Sequence, residues 1–144
     1  MTERNNVKKI KTDILIVGSG AAGLYCALKL PKEKQIVIIT KEDAESSDSF
    51  LAQGGMCVLK SEDDFDSYED TMRVGHYKNR KESVDIMIRS SQNIVKELIG
   101  YGVEFEQENG KLLYTREGGH STHRIVFHED ITGKEITSKL LAAG

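Results

Sequence analysis

An α/β fold built on a parallel sheet is what this sequence predicts, and three features carry that prediction. Two short apolar runs rich in β-branched residues, DILIVG over 13–18 and QIVIIT over 35–40, read as strands buried on both faces. Between them lies a stretch of good helix formers over 21–30, with Leu24, Ala27 and Leu28 at helical spacing, which ends at Pro31, the single proline of the chain. Strand, glycine turn, helix and strand in that order make a βαβ unit over 13–40, for which a right-handed crossover is expected.

Residues 41–57 follow without a sustained period of 2 or 3.6, and read as a long loop of the kind that carries function. The strongest helix signal is over 83–101, where Val84, Met87, Ile88, Ile94, Val95, Leu98 and Ile99 recur on one face and Gly100 and Gly102 close the segment. A small hairpin is expected from 103–105 and 111–114 around the pair Asn109-Gly110, which supplies the positive φ angles of a tight turn. A polar loop over 115–121, a strand over 124–128 and a helix over 132–143 complete the reading. Tyr25, Tyr101 and Tyr114 fall on apolar faces and read as core residues with wetted hydroxyls.

At 144 residues the chain fits one domain of ordinary size, ~100–200 residues. Its net charge of −3 gives no basic field to hold nucleic acid or an anionic membrane. The polar start over 1–12 and the short apolar run after it fall far below a signal peptide or a ~20-residue span, so a cytoplasmic protein is expected. Cys26 and Cys57 lie in separate apolar runs with no CxxC spacing, and are expected to be buried, reduced thiols. His120, His123 and His128 lack the acid and helical setting of a zinc site, so no metal is expected.

The chemistry begins at GSGAAG over 18–23, a GxGxxG motif at the junction of strand and helix. Gly18 permits the tight turn, Gly20 lets the backbone approach a pyrophosphate and Gly23 lets helix pack on strand. Free N–H groups and the positive dipole end of the helix then face the phosphates. The acid that a dinucleotide fold usually carries at the end of its second strand is replaced here by Thr40 and Lys41, which disfavours an ordinary NAD dehydrogenase.

Three stretches then match one family in order and spacing: VGSGAAGL, TK followed by FLAQGG, and TREGGHS, with RIVFHEDITG from Arg124 onward. With them the chain resembles the L-aspartate oxidases of the fumarate reductase and succinate dehydrogenase flavoprotein superfamily, from about Asp13 to its last residue. The resemblance implies a Rossmann-like FAD-binding domain over 13–144, incomplete, behind a polar tail over 1–12, with the second half and the cap domain not included. It implies FAD contacts at Gly18, Ser19, Gly20, Ala21, Ala22 and Gly23, at Lys41 beside the adenosine ribose, and along the flavin at Asp48, Ser49, Phe50, Leu51, Ala52, Gln53, Gly54 and Gly55.

The same resemblance bears on substrate. Succinate dehydrogenase-type subunits carry a flavin-linked histidine where this chain has Asp48, so FAD is expected to bind noncovalently. They tend to carry phenylalanine where this chain has Glu117, and a carboxylate there suits a substrate ammonium group. Glu117 is therefore expected to bind an amino-dicarboxylate, with His120 near its carboxylates and His123 and His128 structural. The implied reaction is oxidation of L-aspartate to iminoaspartate, the first step of NAD synthesis from aspartate, with oxygen or fumarate as acceptor and quinolinate synthase as consumer. The main catalytic residues are expected beyond Gly144. The rival readings are a soluble fumarate reductase or succinate dehydrogenase flavoprotein and a noncatalytic nucleotide-binding remnant.

Overall fold

The computed structural model describes residues 9–61 and 65–144, so most of the expected tail over 1–12 lies outside the described residues. Strand β1, Ile14–Val17, runs parallel to β2, Ile36–Ile39, with Ile14 opposite Ile36 and Val17 opposite Ile39. Helix α1, Ala21–Lys29, connects them and stops before Pro31, as the proline requires. The βαβ unit is thus present, but β1 is covered on one face only, whereas Ile36, Val37 and Ile38 of β2 are all half-buried. Leu15 and Val17 are 54% and 78% exposed, because no described element packs on that side. Cys26 likewise points outward rather than into the core, on the solvent side of α1.

The segment expected to be one loop is partly ordered. A 3₁₀ turn at Ala44–Ser46 leads into helix α2, Asp48–Leu51, whose Phe50 N–H donates to the Ser47 hydroxyl at 3.2 Å, a serine cap of the usual kind. Strand β3, Met56–Cys57, closes the segment. These elements are too short for periodicity to reveal.

Helix α3, Phe65–Val74, packs on helix α4, Lys81–Gly100, through Met72, Val84 and Ile88. Helix α4 begins two residues before the expected start, and its buried stripe is Val84, Ile88, Ser91, Val95 and Leu98. Met87 and Ile99, expected on that stripe, are 55% and 42% exposed; they flank it where no neighbour covers them. Gly102, at φ 91°, ends the helix: its N–H donates to Ile99 O at 2.9 Å and that of Val103 to Leu98 O at 3.0 Å, the paired bonds of a Schellman cap.

Asn109 and Gly110, with φ 52° and 74°, turn the expected hairpin. Its strands are β4, Gln107–Glu108, and β5, Lys111–Leu112, so the first strand lies later than the expected 103–105. Val103 and Phe105 instead sink into the main core, at 3% and 4% exposure. Strand β6, Ile125–Val126, is shorter than expected and pairs antiparallel with β3. Helix α5, Thr132–Ala142, follows.

The main core gathers Leu24, Val58, Val95, Leu98, Val103, Phe105, Val126 and Leu140 from across the chain. Tyr25, Tyr101 and Tyr114 pack at its edge. The Tyr25 hydroxyl donates to Glu97 Oε2 at 2.5 Å, and Lys29 Nζ reaches the same oxygen at 3.0 Å, which docks α1 on α4. These hydrogen bonds to the carboxylate raise the pKa of Tyr25 and of Lys29 and lower that of Glu97.

Candidate functional site

The glycine turn between β1 and α1 has the geometry its residues demand. Gly18 adopts φ 112°, a region that side chains rarely enter. A Cβ on Gly23 would stand 2.2 Å from Gly18 O and 3.3 Å from Ile16 Cγ2, so only glycine lets the helix seat this closely on the strand. At Gly20 a Cβ would meet Ser49 Oγ at 2.9 Å, so the turn and the start of α2 face each other across a narrow gap.

Helix α1 has no capping side chain at Gly20, and its first four-residue bond is Leu24 N–H to Gly20 O at 3.1 Å. The N–H groups of Ala21, Ala22 and Gly23 are therefore without helical acceptors, and the dipole adds positive potential there. An anion fits this end. Ser19 is 5% exposed and turns inward: its hydroxyl bridges to Thr40 Oγ1 at 3.0 Å and Ala44 O at 3.4 Å. It ties the end of β2 to the glycine turn. Lys41 follows directly on this joint and is exposed.

Next to the turn opens a cleft of about 230 Å³ lined by Ala21, Ser49, Ala52, Gly54, Gly55 and Met56 together with Thr132, Gly133 and Ile136 of α5. Five of the expected cofactor residues thus come together: Ala21, Ser49, Ala52, Gly54 and Gly55. Asp48, Leu51 and Gln53 are exposed and outside its lining, and Phe50 is half-buried beneath Lys134 Nζ, 5.9 Å from the ring centre. The wall from α5 was not anticipated from the sequence. Gly133 N–H donates to Ala52 O at 2.9 Å, and a Cβ on Gly133 would stand 2.0 Å from Ser49 O. The close approach makes α2 and α5 one wall. A group with an elongated phosphate-bearing body suits this end: bare N–H groups at the turn stand beside a cleft bordered by Gly54 and Gly55.

Glu117 reaches this wall from the polar loop. Its Oε1 accepts from Gly55 N–H at 2.9 Å, and its Oε2 lies 3.2 Å from where a Cβ on Gly54 would be. His120 sits on the same loop, half-buried, with Nδ1 4.0 Å from Cys57 Sγ. It borders two hollows, one of about 400 Å³ with Met56, Ile88 and Ile94 and one of about 300 Å³ with Thr71, Asn79 and Gly119. His123 is exposed, and the His128 N–H donates to Thr132 Oγ1 at 3.0 Å at the start of α5. Cys57 is half-buried rather than fully enclosed. Among the described residues no group of three His, Cys, Asp or Glu could hold a metal, and no helix is long and apolar enough to cross a membrane.

Behind the loop stands an ion pair that the sequence did not reveal. Arg124 is fully buried, and its Nη1 donates to Asp70 Oδ2 at 2.7 Å; Asp70 is 3% exposed. The same oxygen accepts from the Ser121 N–H and the Ser121 hydroxyl, each at 2.7 Å, while Oδ1 accepts from Arg73 Nη2 at 2.7 Å. Burial would raise the Asp70 pKa, but the Ser121 backbone and hydroxyl and the Arg124 guanidinium outweigh it and hold the carboxyl well below the usual carboxylate range.

Residues 13–143 match the family model described as an FAD binding domain. The chain is 42% identical over 130 residues to L-aspartate oxidase of Clostridium perfringens, an alignment covering 90% of this chain and 30% of the relative. It is 44% identical over 133 residues to that of Clostridium acetobutylicum, covering 91% and 31%. The chain therefore spans about 30% of the length of these relatives. Its fold is also that of the solved E. coli quinol fumarate reductase FrdA, with a TM-score of 0.88 at 24% identity over 95% of this chain and 24% of that one. With a glycine turn and an uncapped helix end that suit a phosphate-bearing cofactor, and with the match covering nearly its whole length, this chain belongs to the FAD-binding domain family of flavoproteins.

Proposed function

We propose that the protein carrying this chain uses noncovalently bound FAD to oxidise L-aspartate to iminoaspartate. The observation that carries the reading is the Glu117 carboxylate held against the Gly54 and Gly55 backbone, with one oxygen bonded to Gly55 N–H at 2.9 Å. An acid at that place attracts a substrate ammonium group and repels a dicarboxylate that has none. The 42% and 44% identity to two L-aspartate oxidases over nine-tenths of the chain supports the same substrate.

In this reading the N–H groups of Ala21, Ala22 and Gly23 bind the pyrophosphate, while Gly18 and Gly20 keep the turn free of side chains. Ser19 holds the turn to β2, and Lys41 and residues 48–55 would hold the adenosine and flavin parts of FAD. FAD, when bound, supplies the acceptance of the hydride that leaves the substrate α-carbon. Glu117 binds the ammonium group, and His120 faces a substrate carboxylate, so that the α-carbon is held in one orientation. Loss of the hydride and of two protons from the bound ammonium group would leave the neutral imine, with oxygen or fumarate as the final acceptor of the two electrons. Iminoaspartate is the substrate class of quinolinate synthase, which makes this the first step of NAD synthesis from aspartate. A cytoplasmic setting, where an exposed thiol such as that of Cys26 stays reduced, belongs to the same reading.

The test is turnover of the purified flavoprotein with L-aspartate and with succinate, in wild type and in Glu117→Gln. A lost charge-assisted contact of about 2 kcal/mol corresponds to a roughly thirtyfold fall in kcat/KM for L-aspartate. Wild-type preference for succinate, or an unchanged kcat/KM in Glu117→Gln, contradicts the reading.

A further inference from the structure

The loop that presents Glu117 and His120 is exposed along residues 116–119 and contains Gly118 and Gly119, the latter at φ 86°. Left to itself such a segment samples many conformations. It is pinned at two points. One is Glu117 itself on Gly55 N–H, a contact that a substrate ammonium group would share. The other is Ser121, whose N–H and hydroxyl both donate to Asp70 Oδ2 at 2.7 Å. Between these anchors the bonds are longer: His120 N–H to Glu117 O at 3.3 Å and Arg73 Nη2 to Gly119 O at 3.4 Å.

We propose that Asp70 is a positioning residue of the candidate substrate site, clamping Ser121 so that Glu117 and His120 stand in fixed places against the flavin-side cleft. The clamp is built rather than incidental. Asp70 lies 51 residues from Ser121 and 54 from Arg124, on helix α3, which is itself fixed against α4 by Met72, Val84 and Ile88. Its carboxylate is oriented by Arg124 from inside and by Arg73 from outside, each at 2.7 Å, which leaves it one geometry for receiving Ser121. Asp70 also borders the hollow of about 300 Å³ that His120 borders. Asp70 touches neither cofactor nor substrate in this arrangement; it acts through the loop.

The role in turnover rests on the reading of Glu117 and His120 as substrate contacts, whereas the clamp itself does not. Two variants of the full flavoprotein test both. Ser121→Ala removes one hydrogen bond and keeps the buried ion pair, so folding is preserved; Asp70→Asn removes the charge that orders all of them. With L-aspartate as probe, Ser121→Ala is expected to raise KM about fivefold with kcat changed less than about twofold, the effect of one hydrogen bond. Hydrogen exchange reads the clamp independently of activity: the Ser121 amide is expected to be protected in wild type and to exchange at least about tenfold faster in Asp70→Asn, while amides of α4 and β1 keep their rates. If wild type leaves L-aspartate untouched while the Ser121 amide behaves as expected, the proposed function falls and the clamp stands. If that amide exchanges at the same rate in wild type and Asp70→Asn, or if α4 loosens equally, the positioning role is overturned. An unchanged KM in Ser121→Ala alongside active wild type overturns it as well.

Discussion

Replacing Arg124 by alanine is expected to lower the free energy of unfolding by about 3 kcal/mol, the lower end of the range for breaking a buried ion pair, because Asp70 keeps Arg73 on its other oxygen at 2.7 Å. The guanidinium is fully buried and Asp70 is 3% exposed, so water cannot replace the lost partner. Ordinary domains have about 5–15 kcal/mol in all, so the variant would stand near the edge of stability. Urea unfolding followed by circular dichroism measures the loss. Its pH dependence has a definite sign. The Asp70 pKa is held down in the folded state, so its contribution is complete above the unfolded carboxyl value, about 3.9, and fades as pH falls below it. The gap between wild type and Arg124→Ala should therefore narrow below about pH 4. A gap under about 1 kcal/mol at neutral pH, or one that widens in acid, would show that the pair is not what holds the loop to α3.

Gly133→Ala is expected to weaken FAD binding at least about tenfold and to destabilise the fold by about 1–3 kcal/mol, the range for overpacking a tight contact. The added methyl would stand 2.0 Å from Ser49 O and 2.7 Å from Ala52 O. Both obstacles are backbone, so no side-chain rotation relieves them and α5 must move away from α2. That movement stretches the bond from Gly133 N–H to Ala52 O, now 2.9 Å, and widens the cleft that both elements line. Flavin fluorescence titration together with a thermal melt separates the two effects. Wild-type affinity in the variant would mean that the α5 wall is not part of the cofactor site.

These two positions mark the boundary of what the sequence discloses. The glycine turn was legible because its chemistry is local: strand, turn and helix are contiguous, and each of Gly18, Gly20 and Gly23 has one steric reason to be there. The Asn109-Gly110 turn was legible for the same reason, since both residues take positive φ. Asp70 and Arg124, 54 residues apart, gave no such signal, because a pairing across the fold leaves no period and no spacing rule. Helix α3 was missed because its apolar residues are few, Tyr68 and Met72 among them, within the acidic stretch FDSYEDTMRV. The misplaced burial has one physical cause: Leu15 and Val17 are apolar as core residues are, yet composition cannot say which face of a strand finds a neighbour. The family resemblance supplied candidate contacts over 48–55, of which Ser49, Ala52, Gly54 and Gly55 line the cleft, but not the α5 wall opposite them.

We infer that the glycine turn and the cleft beside it hold FAD. Equilibrium titration of the purified protein with FAD, in wild type and in Gly20→Val, tests it most directly, because a side chain at Gly20 would run into Ser49 Oγ, 2.9 Å from the first added carbon. Saturable binding of one FAD per chain in wild type, competed by ADP, is expected, with affinity reduced at least about tenfold in Gly20→Val. Absence of FAD binding in wild type, or equal affinity in the two proteins, would contradict it.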